Sequence, residues 1–122
     1  MLKFDDANDL LLCEFEELRE SFVEGDYCKD TTHCFYNGEF VPYIVKQIKK
    51  GNKEKLEKAL LFVEKLLREG DGDHADGIIN LAAVSIVEPL YYEDGYEGFK
   101  DTLFSMCGEL TRKSFEEMDA DE

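Results

Sequence analysis

The chain has 122 residues, of which 43% are apolar and 12% aromatic, enough for one hydrophobic core and too little for two. Its 29 acidic residues outweigh 14 basic ones, for a formal net charge of −15, which disfavours direct binding to nucleic-acid phosphates or to an anionic membrane surface. The apolar content argues against disorder of the whole chain.

The charge is unevenly placed. Residues 1–45 carry 11 acids and 3 bases, residues 46–68 carry 3 and 8, and residues 69–122 carry 15 and 3, giving −8, +5 and −12. A basic stretch with Lys46, Lys49, Lys50, Lys53, Lys55 and Lys58 thus separates two acidic blocks. The start, Met1 to Asp6, lacks the basic opening and apolar run of a secretory signal, and no stretch reaches the length of a membrane span. The expected compartment is the cytoplasm, where Cys13, Cys28, Cys34 and Cys107, whose irregular spacing fits no disulfide framework, are reduced thiols.

In chain order, Leu10, Leu11, Phe15, Leu18, Phe22 and Val23 predict a first helix over about 5–24, capped by Asp5 or Asn8 and stopped at Gly25. Residues 25–38, rich in Gly, Asp, Thr and Asn, read as a long connection. A second helix is expected over about 39–50, with Phe40, Tyr43, Ile44 and Ile48 inward and Pro42 tolerated in its first turn. Gly51 ends it and Asn52 caps a third, about 53–69, on which Leu56, Ala59, Leu60, Val63, Leu66 and Leu67 share one face. The short break makes these two helices an antiparallel hairpin. Beyond the loop at 70–73, the apolar run from Ile78 to Val87 predicts a buried central helix ending near Pro89. A last helical region over about 96–118, broken near Gly108, leads to an acidic tail, 119–122, expected to fray. The fold class is all-α: one domain over 1–118, an array of five to six helices packed as antiparallel hairpins.

No constellation carries recognisable chemistry. Cys28, His33 and Cys34 lack the paired knuckles of a structural zinc site, and the expected metal and cofactor are none. The run Asp71 to Gly77 resembles a calcium loop but puts glycine seventh, Ala75 fifth and Ala82 twelfth, so a helix end followed by Asp73 as the next cap is the better reading. Only His33 and His74 are available as bases, neither in a nucleophile motif, and no glycine-rich phosphate loop follows a strand. The expectation is a binding protein without catalytic residues; an enzyme using Cys34 with His33 is the minority alternative.

The segment from Tyr91 to Gly98 concentrates tyrosines and acids in one interhelical loop. Tyrosine gives contact area at low entropic cost, and rim carboxylates meet a partner's Lys or Arg. Tyr91, Tyr92, Glu93, Asp94, Tyr96 and Glu97 are therefore the expected partner contacts, with Asp26, Tyr27 and Asp30 as a second patch.

The segments Phe35-Tyr36-Asn37-Gly38-Glu39-Phe40-Val41-Pro42-Tyr43-Ile44-Val45, Leu60-Leu61-Phe62-Val63-Glu64 and Val84-Ser85-Ile86-Val87-Glu88 resemble, over roughly residues 10–115, a family of small helical bacterial immunity proteins encoded beside toxins of contact-dependent inhibition and related polymorphic toxin systems. The resemblance implies a cytoplasmic protein that binds a cognate toxin domain, often a nuclease, as a heterodimer and covers its active site; no catalytic residues come with it. An acidic inhibitor facing a basic nuclease cleft is consistent with the composition. The alternative is an acidic nucleic-acid mimic or regulatory adaptor that binds a host nucleic-acid-binding protein.

Overall fold

The apolar spacing predicts one helix over residues 5–24, and the structure, a computed structural model that describes residues 1–72, 77–93 and 98–121, divides it. A 3₁₀ turn, Phe4–Asp6, leads into α1, Ala7–Glu14, and a second, Glu16–Leu18, into α2, Arg19–Glu24. Phe15 stands at the break with φ −127° and ψ 74°. Its ring enters an aromatic cluster, with centroids 5.2 Å from Phe40, 5.6 Å from Tyr43 and 5.5 Å from Phe62. Burying that ring outweighs continuity of the helix. The break resets the helical register, so Val23, expected inward, is 70% exposed while Leu11, Phe15 and Leu18 stay in the core. The expected cap is also absent: Asn8 is buried and donates through Nδ2 to the Cys28 carbonyl at 3.0 Å.

Residues 25–38 are not a long connection. After the turn at Gly25, a 3₁₀ turn, Lys29–Thr31, runs into α3, Thr32–Phe35, a π-helical segment, Tyr36–Phe40, and α4, Val41–Lys50, without interruption. The polar residues that suggest a loop start the helix instead. The Thr31 hydroxyl accepts from the Cys28 amide at 2.9 Å and donates to the Cys28 carbonyl at 3.2 Å. Thr32, Phe35 and Tyr36 are then buried, with the Tyr36 hydroxyl donating to the Ala7 carbonyl at 2.7 Å.

At the end of α4, Gly51 adopts φ 69°, the left-handed conformation expected of a helix C-terminus, and Asn52 accepts from the Lys55 amide to start α5, Lys53–Glu69. The hairpin forms as expected, with α4 packed on α5. Gly70 is required sterically: a Cβ there would lie 2.3 Å from Ile78 Cγ2. The central helix then runs through α6, Ile78–Ala82, a second π segment, Ala83–Val87, and α7, Glu88–Tyr91.

Each π segment comes just before a proline. The Val41 amide bonds the Tyr36 carbonyl and the Glu88 amide bonds the Ala83 carbonyl, five residues back in both cases. Pro42 therefore lies inside a continuous helix rather than in its first turn. Widening the preceding turn relieves the clash between the proline ring and the carbonyl four residues earlier, that of Gly38 or Ser85. The two π segments pack against each other, and His33 Nδ1 lies 2.6 Å from Ser85 Oγ across that contact.

The last region breaks near Gly108 as expected, into α8, Phe99–Met106, and α9, Glu109–Asp121. Residues 119–121 do not fray from the helix: α9 continues through them, and the Tyr91 hydroxyl donates to Asp119. The expected cap Asp73, like His74 and the rest of 73–76, lies outside the described residues; Ile78 bonds Asp71 Oδ1 at 2.8 Å. The chain is one all-α domain, and no helix among the described residues is long and apolar enough to cross a membrane.

α9 is tied to the core by Glu64, which is 3% exposed on α5. Its carboxylate accepts from the Leu110 amide at 2.5 Å and from the Thr111 amide and hydroxyl at 3.1 and 3.0 Å, with Arg68 at 3.9 Å. It caps α9 from another helix, supplying acceptors to amides that a helix start leaves unpaired. The approach explains Gly108, where a Cβ would meet Glu64 Oε2 at 2.3 Å.

Burial pushes the hydroxyls of Tyr36 and Tyr43 above the ordinary tyrosine range, and at Tyr43 a hydrogen bond to Glu17 adds to the effect. A phenol raised in the folded state contributes stability below its unfolded pKa, about 10, and that contribution disappears as pH climbs toward the folded value. Denaturant midpoints should fall above about pH 10, and phenolate absorbance in native protein should fall short of full tyrosine ionisation until the chain unfolds. All tyrosines ionising together in folded protein near the ordinary value would contradict this.

Candidate protein-binding surface

The structure separates the residues singled out at 91–97. Tyr91 is 2% exposed, so its assignment as a partner contact is corrected: its ring lies 5.0 Å from Tyr92 and 6.1 Å from Phe115, beneath Lys100 Nζ at 4.3 Å. As the last residue of α7 it points inward with Leu90, and replacing it would disturb the core before any interface. Tyr92 is 60% exposed. Glu93 is half-buried beside α4, and Asp94, Tyr96 and Glu97 lie outside the described residues.

The second patch lies on a larger surface. Asp26 is exposed with φ 54°, Asp30 is exposed in the 3₁₀ turn before α3, and Tyr27 is half-buried. The Tyr27 hydroxyl donates to Glu39 Oε2 at 2.9 Å, which raises its pKa, and its ring lies 5.1 Å from Phe35. Gly25 permits that packing, since a Cβ there would sit 2.3 Å from the Tyr27 ring. Tyr27 thus braces the turn and is only partly exposed to a partner.

Residues 5–30 form an acidic arm. Its inner side supplies Ala7, Leu11, Leu12, Phe15 and Leu18 to the core, while Asp5, Asp6, Asp9, Glu14, Glu16, Glu17, Glu20, Glu24, Asp26 and Asp30 are all exposed. Only Arg19 and Lys29 are basic within it. Arg19 lies 3.4 Å from Glu16, and Lys55 reaches Glu17 at 4.0 Å; exposed pairs of this kind neutralise little of the field. At Glu17, burial alone would raise the pKa, but its backbone amide, the Tyr43 hydroxyl, Lys55 and Lys58 outweigh it and hold the carboxyl below its usual value. Exposed Val23 lies among Glu20, Glu24 and Asp26, giving the arm an apolar contact point inside a carboxylate field.

Sequence periodicity missed this surface because it assigned Val23 to the core. The available signal was the charge of the segment, ten acids against two bases over residues 5–30.

The loop chemistry considered for Cys28, His33 and Cys34 does not converge. His33 faces Ser85 and packs 5.6 Å from Phe4, Ser85 is 3% exposed, and Cys28 and Cys34 point to solvent as free thiols. A hydroxyl buried to that degree is closed to a substrate.

A family model described as a domain of unknown function (DUF7674) matches residues 8–120, nearly the whole chain. No curated protein and no solved structure matches it.

Proposed function

The chain belongs to the DUF7674 family, and we propose that it is an immunity-type binding protein that neutralises a basic toxin domain by covering it with the acidic arm. The observation that carries this reading is the arm itself: ten exposed carboxylates against two bases, with exposed Val23 in the same segment. Such a surface attracts a cationic cleft at long range and leaves one desolvated apolar contact to slow dissociation. A nuclease is the natural class of partner, because a cleft that holds phosphates must be basic. The complex acts in the cytoplasm, where the toxin acts, and needs no cofactor. The resemblance of the α3–α4, α5 and central-helix segments to immunity proteins points the same way.

The test is co-expression of the chain with the toxin domain encoded beside it. Growth should be restored and a heterodimer should co-purify. Absence of both, with soluble folded protein, would overturn the reading. Recovery of host nucleic-acid-binding proteins displaced by added DNA would instead identify a nucleic-acid mimic.

A further inference from the structure

Of the 14 basic side chains, only Arg19, Lys55 and Arg68 make ion pairs among the described residues, and three of those that do not are clustered on α4. Lys46, Lys49 and Lys50 are exposed on α4 and lie beyond 4.0 Å of every described carboxylate, although acids outnumber bases twofold. They edge a groove of about 510 Å³ between α4 and Glu93, whose floor is Val41, Pro42 and Val45. Helical spacing makes two rows, Val41–Val45–Lys49 and Pro42–Lys46–Lys50, each apolar toward the N-terminus of α4 and cationic toward its C-terminus. Lys49 and Lys50 also complement the negative helix end, but that role requires neither Lys46 nor an apolar floor beside it.

We propose that this groove is a second docking site, which takes a short acidic peptide segment of a partner protein carrying an aliphatic side chain between carboxylates. The aliphatic group would fill the floor over exposed Pro42 and the small accessible parts of Val41 and Val45 while the carboxylates meet the three ammonium groups. Charge complementarity selects the occupant. An extended polyanion or an anionic membrane would have to lie across the acidic arm and the −12 block as well, whereas a short segment stays within the roughly 8–10 Å over which the lysines dominate. The site is on α4, where Lys46 and Lys50 also border the arm residues Glu17 and Ser21, and does not depend on the toxin reading.

The probe is a fluorescein-labelled peptide, Glu-Glu-Leu-Val-Glu-Glu, followed by fluorescence anisotropy on the full chain. Wild type should bind it saturably. The variant Lys46→Gln/Lys49→Gln/Lys50→Gln, checked by circular dichroism, should lose about tenfold or more in affinity, as three weak charge contacts together imply. A control, Lys29→Gln/Lys113→Gln, has the same kind of charge change elsewhere and should bind as wild type. The peptide Glu-Glu-Ser-Ser-Glu-Glu should bind several-fold more weakly, because it leaves the floor unfilled. Equal binding of both peptides, unchanged affinity in the triple variant, no saturable binding, or preferential binding of anionic-lipid vesicles or DNA would each overturn the proposal. Neutralising Glu16, Glu20 and Glu24 should leave peptide binding intact or strengthen it, which separates failure of this site from failure of the arm.

Discussion

Replacing Glu64 by alanine should cost about 3–5 kcal/mol, the range expected when one partner of a buried, charge-assisted network is removed. The carboxylate accepts from the Leu110 amide and from the Thr111 amide and hydroxyl while 3% exposed, so its loss leaves donors at the start of α9 without an acceptor or water. Glu64→Gln keeps the volume but turns one acceptor into a donor facing those amides, and should cost about 2 kcal/mol. Gly108→Ala should also destabilise, since its Cβ would require the carboxylate to move. In Glu64→Ala that obstacle is gone, so the double variant should be much less destabilised than the sum of the singles. Urea denaturation of the four proteins checks this. Additive effects, or a Glu64→Ala loss below about 1 kcal/mol, would show that α9 is held by packing alone.

The second large effect concerns association with the proposed basic partner. Glu16→Gln/Glu20→Gln/Glu24→Gln/Asp26→Asn removes four exposed charges, and asparagine tolerates the φ of 54° that Asp26 adopts. The association rate at low salt should fall by about ten- to a hundredfold, and its dependence on ionic strength should flatten. Folding stability should change little, because these side chains lie on the surface. Val23→Ser should do the opposite, leaving association unchanged while speeding dissociation several-fold through loss of the apolar contact. Stopped-flow mixing across a salt series separates the two. Unchanged rates in both variants would move the interface off the arm.

These contrasts show where residue patterns suffice. The α4–α5 turn was legible because Gly51 and Asn52 have strong local chemistry, a left-handed C-terminus and a side-chain cap, and because Leu56 to Leu66 kept one uninterrupted period. The N-terminal helix was misread for a tertiary reason: Phe15 breaks it to reach Phe40 and Phe62, far away in sequence, and no local spacing contains those partners. The stretch 25–38 was misread because Thr31 and Thr32 favour turns and helix starts alike. The second π segment carried a signal that went unused, since Pro89 follows an apolar helical run too closely for an ordinary α-turn to persist, whereas Asn37, Gly38 and Glu39 before Pro42 hid the first. Glu64 left no trace in the pattern, because a carboxylate on an apolar face is recognisable as a cap only once α9 is seen above it. Of the expected contacts, Asp26 and Asp30 fall on the acidic arm, Tyr92 is exposed elsewhere, and Tyr91 belongs to the core. Tyrosine density alone does not distinguish an interface from the packing beneath it.

The central claim is that the arm formed by residues 5–30 covers a basic partner. Amide hydrogen exchange on the chain, free and in complex with a co-purifying partner of the proposed toxin class, tests that most directly. Slowed exchange concentrated in residues 16–30, with α5 and α9 unchanged, is the predicted result. Protection confined to α8 and α9, with the arm exchanging as it does in the free chain, would contradict it.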